Sequence, residues 1–309
     1  MIGKREKRML YRTNITNIGD PFVVFDGEKY IMYATTFDAK GFRYYISENL
    51  KEWKDCGLAI DLSDSWAYED FWAPEVIQRP KDGKYVMHFS GRNKANKSLR
   101  IGVAVADKPE GPFVQVKDEP MFDFGYAAID GHVFIEDDGQ AYFYYSRDCC
   151  ENVIGDSHVS QIYVAKLNDD LTEVVGEPKL LTTPTYPYEH DGDGSWLWNE
   201  GPAVLKQDGK YHLFYSANYY ASRKYCVCVA VSDKPDGEFV KSEADNPVLH
   251  ADMLDVDFSG PGHNCFFTDK EGSLKTAFHI HTNENEPSGD RRACIADVVY
   301  EDGTYRIVL

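Results

Sequence analysis

The strongest constraint on the fold is a unit that occurs five times along the chain. Each unit has a Pro or Gly corner, a short apolar strand, an acidic residue followed by Gly, and a second strand rich in aromatic residues. The turn glycines, spaced by 56 to 70 residues, are Gly27, Gly83, Gly139, Gly209 and Gly272. An acidic residue followed by Gly between two apolar runs predicts a tight hairpin, because Gly tolerates the positive φ that such turns require.

Further strands extend each predicted hairpin into a sheet of about four strands. Alternate residues are apolar in the third segments, and VAVADKPEGPF (103–113) is nearly repeated as VAVSDKPDGEF (229–239). Four-stranded sheets repeated around an axis form a β-propeller. We therefore predict an all-β, five-bladed β-propeller as a single domain over residues 1–309, and residues 9–15 are a candidate to close the ring against the last blade. A β-sandwich is the alternative, but it would not need a repeat through the whole chain.

Composition limits the partners of this protein. The 309 residues include 33 basic and 51 acidic side chains, a formal net charge of −18. Such a surplus of negative charge repels nucleic acid and anionic membranes, so neither is expected as a partner. The seven cysteines are odd in number and irregularly spaced, which argues against a disulfide framework. With no signal-peptide core and no apolar run long enough to span a membrane, the sequence predicts a cytoplasmic protein.

Charged residues recur at the predicted blade corners. The first strand of each propeller blade lines the central channel, so residues at the five entry corners are expected to converge at one mouth. These corners carry Asp20, Trp72 to Glu75, Asp130, Glu200 and His263. Carboxylates grouped in one desolvated pocket repel each other, which raises at least one pKa and lets one group donate a proton while another accepts one. Pairs of carboxylates of this kind hydrolyse glycosidic bonds.

The corner motifs also carry a family resemblance. In chain order they are GDPFVVFDGEKYIMYAT, FWAPEV, AIDGHVFIEDDGQAYFYYS, NEGPAVLKQDGKYHLFYS and GPGHN. From about residue 14 to about residue 305, the chain resembles glycoside hydrolase family 43, five-bladed propeller enzymes that act on xylan and arabinan side chains and oligomers. The resemblance implies Asp20 as general base and Glu200 as general acid in an inverting reaction. It implies Asp130 as a third acid that orients Glu200, although Gly131 stands where the family usually has Pro.

Supporting residues are implied by the same resemblance. Trp72 and Ala73 match positions at the sugar-binding wall, and Phe37 is a candidate for the opposite wall. An arginine of the last blade is expected beside the base; alternation leaves Arg291 and Arg292 open, and we favour Arg291. His263 matches a position that often holds an axial Ca²⁺, the alternative being a histidine that only forms hydrogen bonds in the channel. No organic cofactor is expected.

The function we favour is an exo-acting β-xylosidase that releases pentose from small oligosaccharides. An α-L-arabinofuranosidase and an endo-arabinanase are alternatives, the latter requiring an open groove. A sugar-binding propeller without activity would keep Trp72 and lose an acid, yet all three acids are present. A retaining enzyme of the invertase type would need Asn-Asp-Pro-Asn and Arg-Asp-Pro blocks, which do not occur at the first and third corners. The insertions at 147–160 and 182–198 are expected to wall the pocket.

Overall fold

The computed structural model describes residues 10–38, 40–253 and 257–309, and it consists mainly of β-strands grouped into five blades. Blade I contains β1 (Tyr11–Phe25), β2 (Tyr30–Thr36), β3 (Gly41–Ser47) and β4 (Lys54–Asp61). Blade II contains β5 (Ala67–Gln78), β6 (Tyr85–Asn93), β7 (Leu99–Ala106) and β8 (Val114–Gln115). In both blades each strand pairs antiparallel with the next.

Blade III is interrupted by an insertion. It begins with β9 (Ala128–Ile135) and β10 (Ala141–Arg147), and the chain then forms β11 (Val153–Ile154) and β12 (Ser157–Val159) outside the blade. The blade is completed by β13 (Gln161–Leu167) and β14 (Val174–Thr182). A second insertion contributes β15 (Trp196–Leu197), which pairs parallel with β12. The two insertions therefore form one small sheet, β11-β12-β15, which we call the insertion sheet.

The last two blades follow the same antiparallel plan. Blade IV contains β16 (Asn199–Gln207), β17 (Lys210–Ala217), β18 (Cys226–Ser232) and β19 (Val240–Lys241). Blade V contains β20 (Gly262–Thr268), β21 (Leu274–His281), β22 (Arg291–Glu301) and β23 (Thr304–Val308). Within the described ranges, 3-10 helices occur at Cys149–Glu151, Pro187–Glu189 and Glu243–Asp245. No helix in those ranges is long and apolar enough to cross a membrane.

Apolar side chains fill the five junctions between neighbouring blades. Successive residues of a strand point to opposite faces, so the second strand of a blade serves two junctions. Phe143 of β10 packs towards blade II, for example, and its neighbour Tyr144 packs towards blade IV. Fully buried residues at the five junctions include Phe89, Phe143, Leu213, Phe278 and Ile295. The core is therefore a ring of five apolar layers around the axis.

The ring is closed by the first strand. The start of β1 pairs antiparallel with β22, from Tyr11 opposite Ile295 to Ile18 opposite Arg291, while its end pairs with β2. The other half of β22 pairs with β23, so both ends of the chain complete blade V. The prediction that residues 9–15 pair with the last blade is confirmed from Tyr11 onwards, and residue 9 lies outside the described residues. Closure therefore joins blades V and I through backbone hydrogen bonds between β1 and β22.

This closure predicts a stability difference between adjacent side chains of β1. Ile15 is buried in the junction with Ile295, whereas Thr16 is exposed on the same strand. We expect Ile15→Ala to lower the free energy of unfolding by about 2–4 kcal/mol, because the truncation removes buried methyl groups and leaves a cavity. Thr16→Ala is the control and should change it by less than about 0.5 kcal/mol. Urea unfolding measures both, and equal effects would contradict this account of closure.

Candidate active site

Five corners of one geometry surround the axis at one mouth of the propeller. In each, the first strand bulges and one residue has a positive φ. These corner residues, with φ of 51°, 45°, 58°, 57° and 48°, are Asp20, Ala73, Asp130, Gly201 and His263. A non-glycine residue in this region is strained and persists only when its surroundings hold it. Four of the five corners are therefore held by contacts with their neighbours.

The contacts that hold the corners come mainly from the preceding blade. Each second strand has a polar side chain on the residue that pairs with the one just before the corner of its own blade. In four blades this side chain accepts the N–H of the corner residue of the next blade. The distances are 2.8, 3.1, 2.7 and 3.1 Å for Ala73 to Thr35, Asp130 to Ser90, His263 to Ser216 and Asp20 to His279. At the remaining corner, the N–H of Gly201 donates to Asp130 Oδ2 at 3.0 Å. Every corner is thus tied to its neighbour.

Glu200 occupies a different position from the one predicted. The sequence analysis placed it at the same corner position as Asp20 and Asp130, but the residue with positive φ in blade IV is Gly201. Glu200 precedes the corner, and its equivalent in blade II is Trp72. The corner residues line a narrow throat of about 20 Å³ on the axis, whereas Glu200 and Trp72 line only the wider pocket above it. This one-residue offset sets Glu200 outside the throat that Asp20 and Asp130 line.

Asp20 lies in a cationic and hydrogen-bonding environment. Arg291 Nη1 donates to its Oδ1 at 3.1 Å, and the Thr35 hydroxyl donates to its Oδ2 at 2.5 Å. Nδ1 of His263 lies 3.3 Å from the same Oδ1. Burial alone would raise the pKa of Asp20, but attraction by His263 and Arg291 holds this pKa well below its usual range. Asp20 is therefore ionised at neutral pH.

Glu200 has the opposite electrostatic environment. Burial and the nearby Asp130 carboxylate raise the pKa of Glu200 well above its ordinary value of 4.5, although the Tyr225 hydroxyl, which donates to Oε1 at 2.8 Å, lowers it. Burial also raises the pKa of Asp130, to about 6, against the opposing influence of His263. Because Asp130 accepts the N–H of Gly201, it fixes the peptide that follows Glu200. One side of the pocket thus favours a proton on Glu200 and the other a negative charge on Asp20.

The pocket above the throat has a volume of about 590 Å³ and largely apolar walls. Trp72 lines it while packing on Leu99 and Ile129, and Phe37 lines it with 66% of its surface exposed. Ala73, predicted at the same wall, instead lies in the throat with its N–H bonded to Thr35, because its positive φ turns it towards the axis. The insertion at 182–198 contributes Trp196 and Trp198 and the insertion at 147–160 contributes Cys149 and Cys150, in agreement with the expectation that both wall the pocket.

Of the two candidate arginines, Arg291 is the one that reaches Asp20. Arg292 points to the other face of β22 and lines a separate surface depression. The approach of Arg291 requires a glycine before the first corner, since a Cβ on Gly19 would lie 2.1 Å from Arg291 Nη2. A Cβ on Gly262, before the fifth corner, would lie 2.2 Å from the Tyr225 ring. Two glycines therefore make room for the groups that contact Asp20 and Glu200.

His263 lies between the throat and the pocket, and its surroundings allow a test of the expected Ca²⁺. The adjacent Asn264 has both side-chain amide atoms buried without hydrogen-bond partners. The throat has room for roughly one water-sized particle. Among the described residues, no three His, Cys, Asp or Glu side chains are grouped to hold a metal. One imidazole and one amide oxygen fit Ca²⁺ only if waters supply most of its six to eight ligands.

Sequence reasoning missed several residues of the site. Thr35, Ser90, Ser146, Ser216 and His279 stand at the same position of the five second strands, so an alignment of the repeats held the signal. Tyr225 had no such signal, because it ends the loop between β17 and β18 of blade IV, and its hydrogen bond to Glu200 depends on the course of that loop. Its ring stacks on His279 at 5.5 Å between centroids. The residues that contact Glu200 and Asp20 are thus themselves in contact.

Comparison with known proteins identifies the family that has this site. Residues 15–305 match glycosyl hydrolases family 43. The chain belongs to this family. A xylosidase/arabinosidase from Bacteroides ovatus is 31% identical over 271 residues, which cover 76% of this chain and 79% of that protein. The protein is therefore a glycosidase, as the corner acids predicted.

Solved structures of family 43 share the whole fold. A thermostable family-43 glycoside hydrolase is 41% identical with a TM-score of 0.90, and the match covers 96% of this chain and 95% of that one. An endo-1,4-β-xylanase from Bacteroides thetaiotaomicron VPI-5482 is 33% identical with a TM-score of 0.82, covering 97% and 96%. The five-bladed β-propeller predicted from the repeat is confirmed.

The two opposite pKa shifts predict opposite effects of neutral substitutions on stability. A carboxyl group whose pKa is raised by folding destabilises the fold above its unfolded pKa, so Glu200→Gln should raise the free energy of unfolding at pH 7. The gain should shrink as pH falls towards 4.5, the ordinary value for glutamate. Urea unfolding across this pH range measures the effect.

Asp20→Asn is the matched control of opposite sign. A carboxyl group whose pKa is lowered by folding stabilises the fold above its unfolded pKa, here ordinarily 3.8, and that stabilisation is lost as pH falls through the folded value. Asp20→Asn should therefore lower stability at pH 7, and the loss should diminish in acid. Changes of the same sign for both variants at pH 7 would contradict the electrostatic assignment.

Proposed function

We propose that this family 43 enzyme is an inverting, exo-acting glycosidase that releases terminal pentose from xylo- or arabino-oligosaccharides, with β-xylosidase as the favoured activity. The observation that carries the proposal is the pair of opposite pKa shifts at one pocket. His263 and Arg291 lower the pKa of Asp20, which favours its carboxylate, whereas burial and Asp130 raise the pKa of Glu200, which favours its protonated form. An inverting reaction needs one carboxylate and one carboxylic acid on opposite sides of the bond that breaks.

In the proposed reaction, Asp20 accepts a proton from a water molecule while that water attacks the anomeric carbon. Glu200 gives its proton to the leaving oxygen as the glycosidic bond breaks, so that both carboxyl groups exchange charge states in one step. Arg291 keeps Asp20 ionised and orients it before the reaction. Asp130 acts as a positioning residue through the peptide that follows Glu200, and its negative charge helps to retain the Glu200 proton.

Pocket shape and relatives support the substrate class. Trp196 and Trp198 of the second insertion line the pocket, which suits recognition of one chain end. The Bacteroides ovatus relative carries a name for action on xylosides and arabinosides. An α-L-arabinofuranosidase is the first alternative. The arabinofuranose that it releases and the xylopyranose that a β-xylosidase releases carry the same kinds of polar group and differ mainly in ring size. The endo-xylanase named among the structural neighbours, and the endo-arabinanase alternative, represent internal cleavage of a chain.

Calcium remains part of the proposal. His263 and the Asn264 amide oxygen would hold the ion at the throat, with waters as the other ligands. A bound Ca²⁺ would supply positive charge beside the carboxylates of Asp20 and Asp130. The acid and base assignments rest on the side chains alone.

Leaving-group dependence tests the roles of the two carboxyl groups. Aryl β-D-xylopyranosides and α-L-arabinofuranosides with basic phenol leaving groups need a proton, whereas dinitrophenolate does not. We expect Glu200→Gln to lower kcat/KM by about 10²–10⁴-fold for the basic leaving group and by much less for dinitrophenolate. Asp20→Asn should abolish turnover of both kinds of substrate, because the attacking water needs the Asp20 carboxylate as its base whichever phenol leaves. Proton NMR of the released sugar should show the inverted anomer first.

The control for this test is Glu136→Gln, a partly buried carboxyl group that binds Lys206 away from the pocket and should retain parental kinetics. Equal losses for both leaving groups in Glu200→Gln would overturn its role as the acid. If the parent protein cleaves neither aryl pentoside but cuts linear arabinan or xylan internally, the exo assignment is wrong. If it cleaves none of these substrates, the sugar-binding alternative is favoured.

Metal addition tests the ion. After treatment with EDTA and dialysis, saturating Ca²⁺ should raise the thermal midpoint by about 2–6 °C, since a ligand that binds only the folded state stabilises it. His263→Ala should remove this response, while His250→Ala, outside the channel, should keep it. Absence of a response in the parent protein would indicate that water, rather than Ca²⁺, occupies the throat.

A further inference from the structure

Three pocket residues alternate along the segment that leads into blade IV. Trp196, Trp198 and Glu200 are separated by two positions each, and all three line the same pocket. The segment is extended, from β15 into β16, so side chains two positions apart point to the same side. Each step of two residues covers about 6.6 Å, a length comparable with one pentose unit in a linked chain. The two indoles therefore form a row that starts beside Glu200.

The row leads outwards from the pocket. Glu200 and Trp198 are partly buried, whereas Trp196 has 41% of its surface exposed. The indole planes of Trp196 and Trp198 are nearly parallel, at 19°, with centroids 6.2 Å apart. Tyr219 continues the aromatic surface, with its ring 5.4 Å from that of Trp198 and 43% of its surface exposed. These rings present an apolar surface that rises from the acid towards solvent.

The insertion sheet holds the outer indole in place. Trp196 pairs with His158 across β12 and β15, and the His158 ring stacks on the indole at 4.0 Å and 5°. His158 Nδ1 is in turn hydrogen-bonded to the carbonyl oxygen of Cys149 at 2.9 Å. An exposed Trp that is supported from behind loses little conformational freedom when a ligand binds, which favours binding.

We propose that Trp198 and Trp196 form a platform for the two pentose units on the leaving-group side of the scissile bond. This inference rests on the proposed function, in which Glu200 protonates the oxygen of the leaving sugar. The leaving chain therefore extends from Glu200 along the row of indoles, and pentose rings stack their C–H faces on it. The enzyme is accordingly adapted to linear oligosaccharides of at least three units rather than to disaccharides.

The test compares substrates whose leaving side is an aryl group, one pentose unit or two pentose units. The parent protein and Trp196→Ala are assayed on the aryl pentoside, the disaccharide and the trisaccharide of the pentose that the parent prefers, xylose or arabinose. In the parent, kcat/KM should rise from disaccharide to trisaccharide. Trp196→Ala should lower the ratio of kcat/KM for the trisaccharide to that for the aryl pentoside by about ten-fold, mainly through KM. Trp198→Ala should lower the corresponding ratio for the disaccharide as well.

Val153→Ala is the matched control, because Val153 is an exposed apolar residue of the same insertion sheet and does not line the pocket. It should leave all ratios at the parental values. Ratios that stay unchanged in Trp196→Ala, while the parent cleaves the aryl pentoside, would overturn the platform and leave the proposed function intact. A parent protein that cleaves none of the three substrates would overturn the proposed function and the platform together.

Discussion

The left-handed corner at the start of each blade is the constraint on which the rest of the structure depends. A positive φ costs about 1–3 kcal/mol at a non-glycine residue, and here four such residues adopt it around one axis. Each corner N–H is accepted by a side chain of the neighbouring blade, so the strain is held by contacts that also fix the spacing of the blades. The five apolar junctions beneath these contacts keep the blades in place. Because the five corners surround one axis, Asp20, Asp130 and Glu200 converge at one mouth of the propeller.

The same ring separates the acid from the base. Asp20 and Asp130 are corner residues, while Glu200 precedes its corner and faces only the wider pocket. His279 accepts the N–H of Asp20, Tyr225 donates to Glu200, and the two rings stack nearly parallel at 3°. This stack fixes the positions of the two sides relative to one another. His263 and Arg291 lie near Asp20 and lower its pKa, whereas burial and repulsion by Asp130 raise the pKa of Glu200. The two pKa values therefore move apart.

Much of the fold and of the site could be predicted because the sequence repeats one unit five times. The hairpins, the blade number, the convergence of Asp20, Asp130 and Glu200, and the closure by β1 all depend on local period and turn chemistry. The one-residue offset of Glu200 does not, because Glu-Gly-Pro and Gly-Asp-Pro are both ordinary corner sequences and only the backbone φ shows which residue turns. Ala73 was misplaced for the same reason. Tyr225 and the insertion indoles lie in segments that connect the repeated strands, and the course of those segments is not encoded by the repeat.

Direct titration of the carboxyl groups tests the central claim, that the site keeps Glu200 protonated and Asp20 ionised. Carbon-13 NMR of protein labelled at the Asp and Glu carboxyl carbons would follow both groups, with resonances assigned through Glu200→Gln and Asp20→Asn. The account predicts that Glu200 titrates well above the exposed glutamates and that Asp20 titrates well below the exposed aspartates. A Glu200 that titrates with the exposed glutamates, or an Asp20 that holds a proton at neutral pH, would contradict it.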